Sequence, residues 1–148
     1  LQYDLMQWAD LALTIPGTNT VELSFMGVPM VVTIPLNYPE EIPLEGPAQL
    51  LSRVPVLGRQ LKKRLLPKFL AKIKFSAWPN RLAGEMLVPE LIGRLSVEEV
   101  ADVALALLAD EQKHRKTAAR LRELAGAPGA AQRLVALLIE VLAQTYGE

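Results

Sequence analysis

Apolar positions in this chain come first as two short continuous runs and later at helical spacing, and that change of pattern divides the molecule. The runs, residues 11–15 and 30–34, have the length of buried strands, and the second is rich in β-branched residues and stops at Pro35. Between them Pro16-Gly17 makes a turn, Thr18 is suited to be an N-cap, and a short helix runs to Gly27. Strand, glycine turn, helix and strand predict a βαβ unit with parallel strands. Ahead of it, residues 2–9 read as a short amphipathic helix with Leu5, Met6 and Trp8 apolar. The later half is helical. Ser96-Val97-Glu98-Glu99 is a capping box that opens a helix with Val97, Val100, Ala101, Ala104, Leu107 and Leu108 on one face. Asp110 opens a charged helix ended by the GAPG turn at residues 126–129, and a last helix from Ala130 to about Tyr146 carries Leu134, Leu137, Leu138, Val141 and Leu142. The expected class is α/β with parallel strands over residues 1–94, and a helical tail over residues 95–148 that packs on the domain or on a partner domain.

Two stretches lie between these halves. Residues 35–47, PLNYPEEIPLEGP, hold four prolines and three glutamates and predict a loop, after which Pro47 suits the first turn of a helix through Ala48, Leu50 and Leu51. Residues 53–74 hold Arg53, Arg59, Lys62, Lys63, Arg64, Lys68, Lys72 and Lys74, eight of the 16 basic residues, and no acid occurs between Glu45 and Glu85. Leu61, Leu65, Leu66, Phe69, Leu70 and Ile73 interleave at roughly helical spacing, with Pro67 as a kink. This pattern suits an anionic membrane surface, with Arg59, Lys62, Lys63, Arg64, Lys68, Phe69 and Lys72 as the contact residues. It equally suits a solvated helix face. Nucleic acid is disfavoured, because Phe69 alone gives no stacking platform.

Composition adds limits. The 148 residues are 51% hydrophobic, enough for one ordinary core, and the 16 basic and 16 acidic residues cancel, so no global field draws the protein to nucleic acid. The absence of cysteine excludes disulfides and thiolate metal sites and fits a reducing compartment. The sequence reads as having no signal peptide and no apolar run of roughly 18 residues, so no membrane span is expected. The opening LQYDLMQWAD, which starts on Leu1 without Met, reads as the end of a helix feeding a strand, so further strands upstream are expected; two strands make no stable open sheet.

In open parallel sheets, ligands sit at the carboxyl ends of strands beside helix N-termini, where residues 16–22 fall. The residues alone therefore point to a nucleotide or phosphate site. Glu22, four residues beyond Thr18, shares its helical face; it reads either as a ligand carboxylate or as a partner of the helix dipole. Trp78-Pro79-Asn80 is turn chemistry, and Gly84 allows a close approach of backbone. No histidine cluster is present, no metal or other cofactor is expected, and His114 reads as a surface residue rather than a base.

Two segments carry a resemblance. PGTNTVELSFMGVPMVV is similar to the SGTxTLExxxxxxPMVV segment of lipid-A-disaccharide synthases, and WPNRLAGEMLVPEL resembles that family's LPNLLAGRxxVPELLQ. Both stand in the family's order, and the resemblance covers residues 9–92. It implies part of a Rossmann-like domain of a GT-B glycosyltransferase, the carboxyl-terminal, donor-binding part of a divergent member. The implied enzyme is a hexosyltransferase that moves an acylglucosamine unit from a UDP-sugar to a lipid-linked acceptor, as a peripheral protein on the cytoplasmic face of the inner membrane. On matching positions, Gly17, Thr18 and Asn19 would meet the donor diphosphate, Glu22 the ribose, and Asn80 and Gly84 the donor or the cleft. The alternative for the last two is a loop-stabilising Asx turn and a flexible corner. The resemblance assigns no catalytic residue to this chain and puts the base in an amino-terminal acceptor domain, so the chain alone is not expected to be active.

The sequence departs from the family pattern at three motif positions, and the proline-rich loop and basic stretch between the motifs look longer than usual. Pro16 replaces a serine, Thr33-Ile34-Pro35 replaces a Gly-Tyr-Arg run after PMVV, and Glu85 replaces an arginine. Two other classes fit the residues: a different GT-B nucleotide-sugar enzyme, such as a soluble glycosyltransferase or epimerase, or a non-catalytic module that recruits membrane or protein.

Overall fold

A computed structural model describes residues 2–38, 68, 70 and 73–146. The βαβ unit is present. Helix α1 (Gln2–Gln7) leads to strand β1 (Ala12–Thr14), helix α2 (Thr18–Met26) follows, and β2 (Met30–Pro35) returns parallel to β1 with Ala12 opposite Met30 and Thr14 opposite Val32. The chain then reaches α3 (Trp78–Ala83) and a third parallel strand, β3 (Glu90–Gly93), so the sheet order is β1-β2-β3. The sequence pattern did not show β3. Its four residues, Glu-Leu-Ile-Gly, are too few to set a period, and its burial comes from lying beside β2. Nor did it show α3: Trp78-Pro79-Asn80 is the first turn of a helix, with Pro79 where its missing N–H costs no hydrogen bond. Three helices complete the chain: α4 (Val97–Ala109), α5 (Glu111–Ala125) and α6 (Ala130–Tyr146).

β2 sorts its side chains to two sides. Met30 and Val32 join Leu23 of α2, Ala77, Val88 and Leu121 of α5 in one core, with Met6 and Ala12 packed against it. Val31 joins Ala104 and Leu107 of α4 in a second core, flanked by Leu11 and Leu91. The result is a three-layer, Rossmann-like arrangement followed by a helical tail, the α/β class that the sequence predicts. The capping box acts as expected, Ser96 Oγ accepting from the Glu99 N–H at 3.1 Å. The N-terminus of α2 differs: Gly17 is the N-cap and Thr18 the first helical residue.

α4 and α5 pack on the sheet, but α6 does not. Leu134, Leu137, Leu138, Ile139, Val141 and Leu142 are each at least half exposed. The segment Glu111–Thr145 contains a window apolar enough by length and composition to cross a membrane, none of it buried. The expectation of no such segment is corrected here: Arg133 and Glu140 punctuate the apolar residues, so no continuous apolar run betrays it. α6 itself, at 17 residues, is about 26 Å long against a hydrocarbon thickness of about 30 Å.

The joint between α2 and α5 depends on Gly27. It closes α2 in the left-handed region at φ 69°, donating to Ser24 O at 3.0 Å, while Arg122 Nε donates to Met26 O at 3.2 Å. A Cβ on Gly27 would lie 2.4 Å from that Nε. Gly27→Ala is expected to lose about 1–3 kcal/mol in urea denaturation, and adding Arg122→Ala should restore the steric share but not the cost of the positive φ.

Candidate functional site

Among the described residues, the carboxyl ends of the three strands lead into residues 15–17, 36–38 and 94–96. The first is organised by its own polar groups. Asn19 Nδ2 donates to Thr14 Oγ1, Asn19 Oδ1 accepts from the Thr20 N–H at 3.1 Å, and Thr20 Oγ1 donates to Gly17 O at 2.7 Å. Thr20 is fully buried, so this turn is anchored from beneath. No group among the described residues accepts the Thr18 or Asn19 backbone N–H, the first two amides of α2. Those amides, with the positive end of the helix dipole, suit a phosphate. A Cβ on Gly17 would lie 2.9 Å from Asn19 Oδ1, so glycine leaves room for the Asn19 bond.

The buried face of α2 is Thr20, Leu23 and Ser24, with Ser24 Oγ closing on Thr20 O at 2.6 Å. Thr18 and Glu22 lie on the other face, one turn apart, as their spacing predicts. Glu22 is half-buried, and Tyr3 of α1 donates its hydroxyl to Glu22 Oε1 at 3.2 Å. Among the described residues Oε2 accepts no such bond, so the carboxylate keeps acceptor capacity for a diol.

The second motif is built inward. Asn80 is fully buried; its Nδ2 donates to Val88 O and Glu90 Oε1, each at 2.7 Å, and its Oδ1 accepts from the Val88 N–H at 2.8 Å. Glu90 also accepts from the backbone N–H groups of Ser76 at 2.7 Å and Ala77 at 3.1 Å and from Ser76 Oγ. The Asn80 amide is thus fully engaged in fastening α3 to β3, the loop-stabilising alternative for this residue. Gly84 closes α3 at φ 73° and stands on the approach to the amino end of β3, whereas Gly17 and Thr18 follow the carboxyl end of β1. A Cβ there would meet nothing within 4 Å, so only the conformation calls for glycine.

Of the expected membrane residues, Arg59, Lys62, Lys63, Arg64, Phe69 and Lys72 lie outside the described residues, as does the helix expected after Pro47, and Lys68 is exposed. His114 does more than face solvent. Its Nε2 stands 2.6 Å from the Asp10 carbonyl oxygen, tying α5 to the start of β1. A cavity of about 430 Å³ lies near that end of α5, between Glu85 and Leu87 on one side and Asp110, Lys113 and Lys116 on the other, away from the carboxyl-end loops. Among the described residues no cluster of ligating side chains could hold a metal ion. Sequence reasoning passed over Asn37. Asn37 Nδ2 donates to Leu95 O at 3.0 Å and its Oδ1 accepts from the Leu95 N–H at 3.1 Å, which locks the loops after β2 and β3 together. Only the strand pairing brings these two loops side by side.

The geometry can be set beside known proteins. The chain is 30% identical over 144 residues to a lipid-A-disaccharide synthase of Geobacter metallireducens, and 31% identical over 144 residues to that of Geobacter sulfurreducens. It is 32% identical over 145 residues to the synthase of Solibacter usitatus. Each match covers 95% of this chain. The chain is a relative of the lipid-A-disaccharide synthases. It spans about a third, 32%, of the length of these relatives. No family model and no solved structure matches it. The family resemblance read from the two motifs is borne out, and it extends through the helical tail that the motifs did not reach.

Asn80→Ala would leave the buried Val88 N–H and carbonyl unpaired and remove a donor from Glu90. A loss of about 2–4 kcal/mol in chemical denaturation is expected. A variant of unchanged stability that loses a ligand would instead assign Asn80 to the cleft.

Proposed function

We propose that this chain supplies the UDP-donor site of a GT-B glycosyltransferase that moves an acylglucosamine unit from a UDP-sugar to a lipid-linked acceptor. The observation that supports this reading best is the loop from Pro16 into α2, which opens at the carboxyl end of a parallel strand and coincides with the motif shared with the synthases. In this reading the amides of Thr18 and Asn19 and the Thr18 hydroxyl receive the diphosphate. Glu22 accepts two hydrogen bonds from the ribose diol, with Tyr3 holding one of its oxygens. These groups bind the donor and steady the departing UDP, stabilising the negative charge that grows as the glycosidic bond breaks. The base that deprotonates the acceptor hydroxyl belongs to another domain. Asn80 and Gly84 serve by fixing α3 against β3.

Calorimetric titration of the intact protein with UDP tests the reading. Wild type is expected to bind, and Glu22→Ala to weaken binding about tenfold or more, the scale of a charged hydrogen-bond pair. A folded protein that does not bind UDP would refute the donor site.

The basic stretch over residues 53–74 is proposed to hold the enzyme at an anionic membrane surface, within reach of its lipid acceptor; its lack of acids supports this. Cosedimentation should show binding to anionic vesicles and not to neutral ones, lost on replacing Lys62, Lys63 and Arg64 by Glu. Equal binding to both vesicle types would exclude it.

A further inference from the structure

We propose that Thr14 and the side chain of Asn19 are positioning residues of the donor site, a brace that sets the backbone amides of Thr18 and Asn19 for the diphosphate; the inference rests on the UDP-donor reading. Asn19 is half-buried where Thr18 is exposed, and both ends of its side-chain amide are engaged within the protein. Nδ2 donates to Thr14 Oγ1, and Oδ1 accepts from the Thr20 N–H at 3.1 Å.

Thr14 is occupied in the same way. Its hydroxyl accepts from Asn19 and donates to Ile15 O at 3.3 Å, while its carbonyl accepts from Thr33 Oγ1 of β2 at 3.4 Å. The last residue of β1 therefore ties the start of α2 to the sheet, and it lies opposite the fully buried Val32. Thr20 fixes the turn from the other side. Its N–H is shared between Asn19 Oδ1 and Gly17 O, each at 3.1 Å, and its Oγ1 donates to the same Gly17 oxygen at 2.7 Å.

These bonds decide which amides remain for a ligand. The Thr20 N–H, third in α2, is consumed inside the turn, and the Thr18 and Asn19 N–H groups are left as a pair with no acceptor among the described residues. The first turn of a helix frays readily, and a phosphate loses affinity when the amides it meets must first be ordered. Fastening Asn19 to a strand residue five positions earlier removes that cost before the ligand arrives. The engaged side chains of Thr14 and Asn19 thus serve the ligand through the backbone, while the exposed Thr18 is the residue that meets it.

Calorimetric titration of the intact protein with UDP is the test, with urea denaturation of each variant so that only folded protein is compared. Thr14→Val keeps the β-branched shape that suits a strand and removes the hydroxyl; it should weaken UDP binding about fivefold, the scale of one hydrogen bond. Thr14→Ser, which returns the hydroxyl, should recover the affinity to within about twofold of wild type. Asn19→Ala should weaken binding at least as much as Thr14→Val, and the double variant no more than Asn19→Ala alone, because the two residues share one bond. Asn19 lies outside the sheet, so its variant carries the test should Thr14→Val unfold. Losses that add in the double variant would show that the Asn19 side chain meets the ligand itself, and would overturn the inference. Failure of Thr14→Ser to recover affinity would show that Thr14 acts through strand packing, and would overturn it as well. Wild-type affinity in both Thr14→Val and Asn19→Ala, while Glu22→Ala loses it, would overturn the inference and leave the donor site standing. A folded wild-type protein that does not bind UDP would remove the donor site and the inference together.

Discussion

Burial of β2 on both faces is the constraint on which the rest depends. Met30, Val31 and Val32 are fully buried, and because successive side chains point to opposite sides, helices must cover both. α2 and α5 cover one side and α4 the other. The parallel order then follows, since each return to the sheet has to cross a layer of helix. It also gathers the strands' carboxyl ends on one rim, so the position of the candidate donor loop is a consequence of packing rather than a separate feature.

A second constraint is polar. A buried loop is tolerable only if its amides and carbonyls are paired. Around β3 that pairing converges on two side chains, Asn80 and Glu90, which together satisfy the backbone of Ser76, Ala77 and Val88. This accounts for a sequence motif without giving it to a ligand. The two shared motifs thereby divide their labour: the first leaves amides open at a helix start, and the second turns its buried polar side chains, Asn80 and Glu90, onto its own backbone.

Legibility in the sequence followed the range of the interaction. The βαβ unit was readable because its strands, turn and helix are adjacent in sequence, and the capping box at Ser96 because its bond spans three residues. Thr18 and Glu22 were placed on one face by spacing alone. β3 and α3 were hidden, since four residues set no period and Pro79 reads as a turn until the bond from Asn80 to Val88 is known. Asn37 was invisible for a related reason: its partner Leu95 is separated from it by 58 positions of chain, and only the register of β2 with β3 makes them neighbours. The apolar face of α6 was legible, but not that it finds no cover among the described residues.

α6 has a spectroscopic consequence. A helix of 17 residues whose leucines, valines and isoleucine are each at least half exposed has little to hold it beyond its own backbone bonds, and such helices are marginal in water. Its melting is therefore uncoupled from that of the sheet. Circular dichroism in the far ultraviolet sums the two, whereas the fluorescence of Trp78, half-buried where α3 meets the core, follows the sheet once the exposed Trp8 is replaced by phenylalanine. Loss of helical signal on heating this chain is thus a different event from loss of its fold, and a single transition temperature drawn from ellipticity would describe neither.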